Sequence, residues 1–189
     1  MFKKAISLYK DEKLMQLIIT SNDLAFNELY NRYNKRMYYF FYRMLGNSSE
    51  IANDFLQELF MKIIEHSQKF DSTYSFKTWI FTIAWNQCKN EFRKNEIRKE
   101  PIPVDENYQE PILQKNTNNK EIIELIFKQL KQLSSEHQSV FVMYYKEGFQ
   151  IKEIATILGI STGTVKSRLF YTRKYLSTQL RYLKDEIEF

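Results

Sequence analysis

The chain has 189 residues, 43% of them apolar, with only four glycines and three prolines, which fits one medium domain or two small ones built mostly from helix-forming segments. Its net charge of +5 is uneven: residues 100–119 carry −3 and everything else +8, a distribution suited to a polyanion such as nucleic acid. One cysteine, Cys88, excludes an internal disulfide and a thiolate zinc site. The first apolar stretch, broken by Lys10 and Asp11, is too short for a signal peptide, and the longest apolar run, Met37–Tyr42, is too short to cross a membrane, so a reducing cytoplasm is expected.

A short helix is predicted around Leu14–Ile19. From Asp23, read as an N-cap, apolar residues fall at Phe26, Leu29, Tyr30, Tyr33, Met37, Phe40, Phe41 and Met44, the spacing of one helical face, and Gly46 ends the run. After the polar turn Asn47-Ser48-Ser49, the series Ala52, Phe55, Leu56, Leu59, Ile63 marks a second amphipathic helix. Its polar face shows Asp54, Gln57 and Glu58 at i, i+3 and i+4; spacing alone makes this an ordinary solvated face.

The third helix, roughly Ser75 to Lys99, is predicted to turn Phe76, Ile80, Ile83 and Ala84 inward. The opposite face runs Thr82, Asn86, Lys89, Asn90, Arg93 among the aromatics Tyr74, Trp79, Phe81, Trp85 and Phe92. Amides and cations interleaved with rings suit a single strand, whose bases stack while its phosphates meet cations. Aromatics at helical spacing are also core residues: Phe76 and Trp79 are read as core, and Phe81 and Trp85 fit either role. These helices make a bundle over residues 5–98.

Residues 99–119 contain all three prolines and no periodic pattern, the composition of a flexible acidic linker. Helix resumes at Lys120 with Ile122, Ile123, Ile126, Phe127 and Leu130. Ser134 is read as the cap of a helix ending at Gly148, Ile151–Leu158 as a short helix closed by Gly159, and Ser161 as the cap of a last helix reaching about Leu183. The fold class is therefore all-α, two small helical domains, with the second over 120–184.

Helix, tight turn, helix is the plan of a helix-turn-helix. Ala155 lets the two helices approach, Ile160 is read as buried after the turn, and Val165 and Leu169 pack back. Left outward are Ser161, Thr162, Thr164, Lys166, Ser167 and Arg168, with Arg173, Lys174, Arg181 and Lys184 further along. Hydroxyls and amides at a helix start meet phosphate, and Arg or Lys donates to guanine edges in the major groove.

Taken together, "DLAFNELYNRY" (23–33), "EIANDFLQELFMKI" (50–63), "FDSTYSFKTWIFTIAWNQCKNEFRK" (70–94) and "LKQLSSEHQSVFVMYYKEGFQIKEIATILGISTGTVKSRLFYTRKYL" (130–176) resemble the bacterial extracytoplasmic-function (ECF) sigma factors, over most of the chain and in the family's order. The resemblance implies that Asp54, Gln57, Glu58 and Phe60 dock on the beta-prime clamp of core RNA polymerase. It implies that the loop Asp71, Ser72, Thr73, Tyr74, Ser75 and the face Asn86, Lys89, Asn90, Arg93 open the minus-10 element and capture an unstacked base. The last helix, with Ser161, Thr162, Thr164, Lys166, Ser167, Arg168, Tyr171 and Arg173, would read the minus-35 element as duplex. Further implied partners are the beta flap and an anti-sigma factor. Tyr171 and the glycine-free "STYSF" depart from the usual family pattern.

About 25 residues between the bodies span roughly 28 Å as a random coil and about 85 Å when extended; two turns of duplex, about 70 Å, are reachable only by a stretched linker. The sequence also bears on two rival functions. Catalysis has little support, because His66 and His137 sit in different bodies and no phosphate loop or nucleophile grouping is present; neither a cofactor nor a metal is expected. A conventional repressor with a C-terminal helix-turn-helix stays open, distinguished by binding its site without polymerase.

Overall fold

In a computed structural model, residues 6–46, 48–98 and 117–181 are described; they are helical, with no strand among them. The chain divides into two compact units, Met1–Asn107 and Tyr108–Phe189. Of the stretch read as a linker, residues 99–116 lie outside the described ones.

The first unit contains α1 (Asp11–Ile19), α2 (Asp23–Met44), α3 (Ser49–Glu65), a 3-10 turn (Ser67–Lys69) and α4 (Phe76–Arg98). The N-cap of α2 is Asn22 rather than Asp23: its side chain accepts the Ala25 N–H at 3.0 Å. Asp23 stands in the first helical turn, where a carboxylate suits the positive end of the helix dipole. Ser48 caps α3 by accepting from Ile51 N at 3.3 Å.

The core of this unit is aromatic. Phe40, Phe41, Phe76 and Phe81 are fully buried, and each such ring contributes about 1.5–3 kcal/mol relative to exposure. Phe40 and Phe81 meet edge to face at 5.2 Å, as do Tyr33 and Phe76 at 5.1 Å, geometries that satisfy the ring quadrupoles. This settles the two open aromatics of α4: Phe81 and Trp85 are both core. Trp79, read as core, is only half-buried and lies against Phe70 and Phe76 at the edge, and Ile83 is half-buried too. The inward stripe of α4 runs 76-80-84-88 and widens to include 81 and 85. Residues 79 and 83 flank it.

The second unit contains α5 (Thr117–Leu130), α6 (Ser135–Phe141), a wider π turn (Val142–Lys146), α7 (Ile151–Leu158) and α8 (Thr162–Gln179). Helix thus begins three residues before the predicted Lys120 and ends short of Leu183; residues 182–189 lie outside the described ones. The predicted helix from Ser134 to Gly148 loosens halfway. Val140, Phe141, Val142 and Met143 are all buried in succession, between α8 on one side and α7 on the other, and the backbone opens so that Glu147 N bonds Val142 O at 3.0 Å. Gly148, at φ +67°, then reverses the chain and delivers Phe149, a core ring the sequence pattern did not single out.

Candidate nucleic-acid and protein interfaces

The turn between α7 and α8 is built by Gly159, left-handed at φ +65°, a conformation costly for any residue with a Cβ. Its N–H and that of Ile160 bond back to Thr156 O and Ala155 O at 3.3 and 3.1 Å, satisfying carbonyls that α7 leaves open. Ala155, Val165 and Leu169 are buried between the helices as expected, whereas Ile160 is half-buried. Ser161 caps α8, accepting from Thr164 N at 3.0 Å.

α8 then sorts its side chains by face. Thr162, Lys166, Ser167 and Tyr171 point outward, joined by Lys174. Phe170 belongs to this stripe as well: it is 61% exposed, as is Tyr171, and the two rings meet edge to face at 5.6 Å. The sequence reading missed Phe170, although the signal was available, since 163, 166, 167, 170, 171 and 174 repeat at helical spacing opposite the buried 165, 169, 172 and 176. An exposed apolar ring offers van der Waals contact to a thymine methyl.

Three of the predicted cation and hydroxyl positions are partly occupied within the fold. The Thr164 hydroxyl pairs with that of Ser161 at 2.9 Å. Arg168 is half-buried and close enough to α6 to act on its start: burial first, then the Arg168 charge, holds the His137 imidazole below the usual range, while Ser134 bonds His137 Nδ1 at 3.0 Å. Arg173 donates from Nε to the Tyr145 hydroxyl at 2.6 Å, with its guanidinium about 5.5 Å from the rings of Tyr144 and Tyr145.

In the first unit the five loop residues Asp71–Ser75 are all exposed. Asp71 Oδ1 accepts from Thr73 N at 2.9 Å and from the Thr73 hydroxyl at 2.7 Å. Those bonds, the backbone one first, keep the carboxyl below the ordinary aspartate range. Tyr74 N closes the turn on Asp71 O at 3.0 Å, and the Tyr74 ring stands 69% exposed. Along α4, Asn86, Lys89, Asn90 and Arg93 are exposed at i, i+3, i+4 and i+7, one face about 10 Å long, beginning about 15 Å from the helix start at 1.5 Å per residue. Thr82 is half-buried, and its hydroxyl donates to Thr78 O at 2.9 Å. Cys88 is buried on the far side, and burial pushes its thiol far up.

On α3, Asp54, Gln57 and Glu58 are exposed. Glu58 pairs with Lys62 at 2.6 Å, a bond that draws its carboxyl below the usual range. Met61 and Ile64, both exposed, extend this face with apolar surface the sequence reading did not flag. Phe60 is different. It is 5% exposed, its ring set against Tyr30 at 4.7 Å and Phe26 at 6.0 Å, so it serves the acidic face by holding α3 on α2 and not by reaching outward.

Among the described residues no cluster of histidine, cysteine and carboxylates is spaced to hold a metal ion, and no helix is long and apolar enough to cross a membrane.

Comparison with known proteins agrees with this division. Residues 29–97 match the family model Sigma-70 region 2 and residues 123–176 match Sigma-70, region 4. The chain is 30% identical over 173 residues to the ECF RNA polymerase sigma factor SigW of Bacillus subtilis, covering 84% of this chain and 90% of that one. It is 30% identical over 157 residues to SigL of Mycobacterium tuberculosis (82% and 88% covered), and 25% identical over 184 residues to the sigma-E factor of Escherichia coli (92% and 95%). Two solved structures share its fold: CnrH in complex with the cytosolic domain of CnrY, TM-score 0.68 at 22% identity, covering 91% of this chain and 97% of that one, and RpoE in complex with the anti-sigma factor NepR from Bartonella quintana, TM-score 0.68 at 22% identity (82% and 96%). With a region 2 match in the unit that carries the acidic α3 and the amide-lined α4, and a region 4 match in the unit that carries the helix-turn-helix, the chain belongs to the ECF family of RNA polymerase sigma factors.

Proposed function

We propose that the two units divide promoter recognition by the state of the DNA. The first reads the minus-10 element as a separated strand: a base drawn out of the stack is received at the loop Asp71–Ser75, with Tyr74 as stacking partner, and the strand follows Asn86, Lys89, Asn90 and Arg93. The second reads the minus-35 element as duplex through Thr162, Lys166, Ser167, Phe170 and Tyr171. Unpaired bases can be splayed and stacked, whereas a duplex is read through its groove, and drawing out a base costs a few kcal/mol that strand and polymerase contacts offset.

The observation that carries this reading is the contrast between neighbouring helices of the first unit. α3 presents Asp54, Gln57 and Glu58 with apolar Met61 and Ile64, a surface for a basic, partly apolar protein partner; α4 presents amides and cations without an acid among Asn86, Lys89, Asn90 and Arg93, a surface for phosphate and bases. The first is assigned to the beta-prime clamp of core polymerase. The second unit docks on the beta flap, and the protein works in the cytoplasm. An anti-sigma factor holds it silent, a reading supported by the two structural neighbours, CnrH and RpoE, each of which was solved with a second protein bound.

The test is run-off transcription from a pooled promoter library with core polymerase, comparing wild type with Asp54→Lys/Glu58→Lys. Specific transcripts that the double variant loses are expected. No transcripts, together with tight sequence-specific binding by the protein alone, would replace this reading with that of a repressor.

A further inference from the structure

α4 begins at Phe76, and the first turn of the helix contains no acidic residue. A helix start leaves backbone N–H groups without intrahelical acceptors and carries partial positive charge. Here the Phe76 N–H donates to Glu12 Oε1 at 3.0 Å, a carboxylate supplied from α1, 64 residues earlier in the chain. α1 is in turn fixed by the residue next to Glu12. Asp11 accepts from Arg32 Nη1 at 2.7 Å and from the Tyr33 hydroxyl, and Arg32 also donates to Glu28 and to the carbonyls of Tyr9 and Ser7. The acid pair Asp11-Glu12 thus ties α1 to α2 with one side chain and to α4 with the other.

Phe76 is held twice, by its fully buried ring between Tyr33 and Phe70 and by its N–H on Glu12. The residue before it, Ser75, is the last of the loop that carries Asp71 and Tyr74, and Trp79 N bonds Ser75 O at 3.1 Å to start the helix. Whatever fixes the backbone at Phe76 therefore fixes the direction in which the loop leaves the helix.

We propose that Glu12 is a positioning residue for the minus-10 loop: it closes the start of α4 from outside and sets the loop to receive an unstacked base. The proposal rests on the minus-10 reading above. It predicts a defect confined to base capture, because Glu12 lies on neither the α3 face nor α8.

The experiment uses the full chain with core polymerase and a promoter recovered from the library, carrying 2-aminopurine in the non-template strand of its minus-10 element. Glu12→Ala is expected to slow the fluorescence rise of base unstacking about tenfold, the equivalent of about 1.4 kcal/mol, with polymerase affinity changed less than twofold. Glu12→Gln keeps a carbonyl acceptor and is expected to recover opening to within about threefold of wild type. In the free protein, amide exchange at Phe76, Lys77 and Thr78 accelerates in Glu12→Ala while exchange in α3 does not. Opening at the wild-type rate in Glu12→Ala would overturn the proposal, and so would an equal loss of opening and of polymerase binding that Glu12→Gln fails to rescue, the mark of a merely structural residue. Failure of the wild-type holoenzyme to unstack the base would instead remove the minus-10 reading itself, and this proposal with it.

Discussion

Arg173 was expected at the DNA surface, and the fold gives it an internal task that can be measured. Its Nε–H donates to the Tyr145 hydroxyl at 2.6 Å, and its guanidinium lies 5.5 and 5.4 Å from the ring centres of Tyr144 and Tyr145. Tyr145 is 42% exposed, so the hydrogen bond contributes about 1 kcal/mol and not the larger value of a buried charged pair. The cation–ring contacts add about 0.5–1 kcal/mol at such a site. Arg173→Ala is therefore expected to destabilise the second unit by about 1.5–2 kcal/mol, and Tyr145→Phe, which removes only the hydroxyl, by about 1 kcal/mol. A double-mutant cycle should return a coupling of about 1 kcal/mol.

Both tryptophans, Trp79 and Trp85, lie in the first unit, so their fluorescence is blind to this change, and amide exchange in α6 and α8 of the full chain is the suitable stability assay. The companion measurement is the salt dependence of holoenzyme binding to the promoter duplex. A residue that neutralises a phosphate contributes about 0.9 to the slope of log K against log salt. Lys166→Ala is expected to flatten the slope by about that amount, and Arg173→Ala to leave it unchanged. A flattened slope in Arg173→Ala with unchanged exchange would refute the brace and return Arg173 to the DNA surface.

Two further outcomes follow from the first unit. Phe60→Ala is expected to cost about 3 kcal/mol, the lower end for a buried ring because its partners Phe26 and Tyr30 are themselves partly exposed, whereas Phe60→Leu keeps polymerase affinity; loss of affinity in a stably folded Phe60→Leu would show that the ring itself touches the partner. The Glu58 carboxyl is held below its usual range by Lys62, so its contribution is fully present above the ordinary glutamate range and is lost as pH falls through the lowered value. With half of the side chain exposed that contribution is about 0.5 kcal/mol, and the difference in urea midpoint between wild type and Glu58→Gln should shrink as pH falls below the ordinary glutamate range; a difference that does not shrink would show the pair is not its source.

How much of this was legible in the sequence depends on how far apart the interacting residues are. Faces that repeat along one helix were readable: Asn86, Lys89, Asn90 and Arg93 are exposed together because three- and four-residue steps return to the same side, and Gly159 marked its turn because few other residues adopt its φ. The burial of Phe60 could also have been read, since Leu56, Leu59, Phe60 and Ile63 share one face; its place in a motif obscured its place in the helix. α4 resisted because aromatics occur on nearly every side of it, so periodicity could not separate Phe81 and Trp85, which are core, from Trp79, which is marginal. The Glu12 bond to Phe76 and the Arg173 bond to Tyr145 join residues 64 and 28 positions apart, and no local pattern announces a tertiary contact of that kind.

The charge on α8 bears on why two such units would share one chain. Its outward stripe carries two cations, Lys166 and Lys174, because Arg168 and Arg173 are turned toward the fold. Two phosphate contacts give a salt slope of about −1.8, well short of what six to ten contacts supply. On the proposed reading, then, α8 alone is a weak duplex reader, and the first unit alone must meet the cost of exposing a base. Neither selects a promoter by itself. Docking both on one polymerase makes the second encounter intramolecular, at an effective concentration in the millimolar range for a short connection, and converts two weak preferences into one selective contact. The scarcity of cations on α8 is then an advantage, because a reader that bound duplex tightly alone would be held on non-promoter DNA before polymerase arrived.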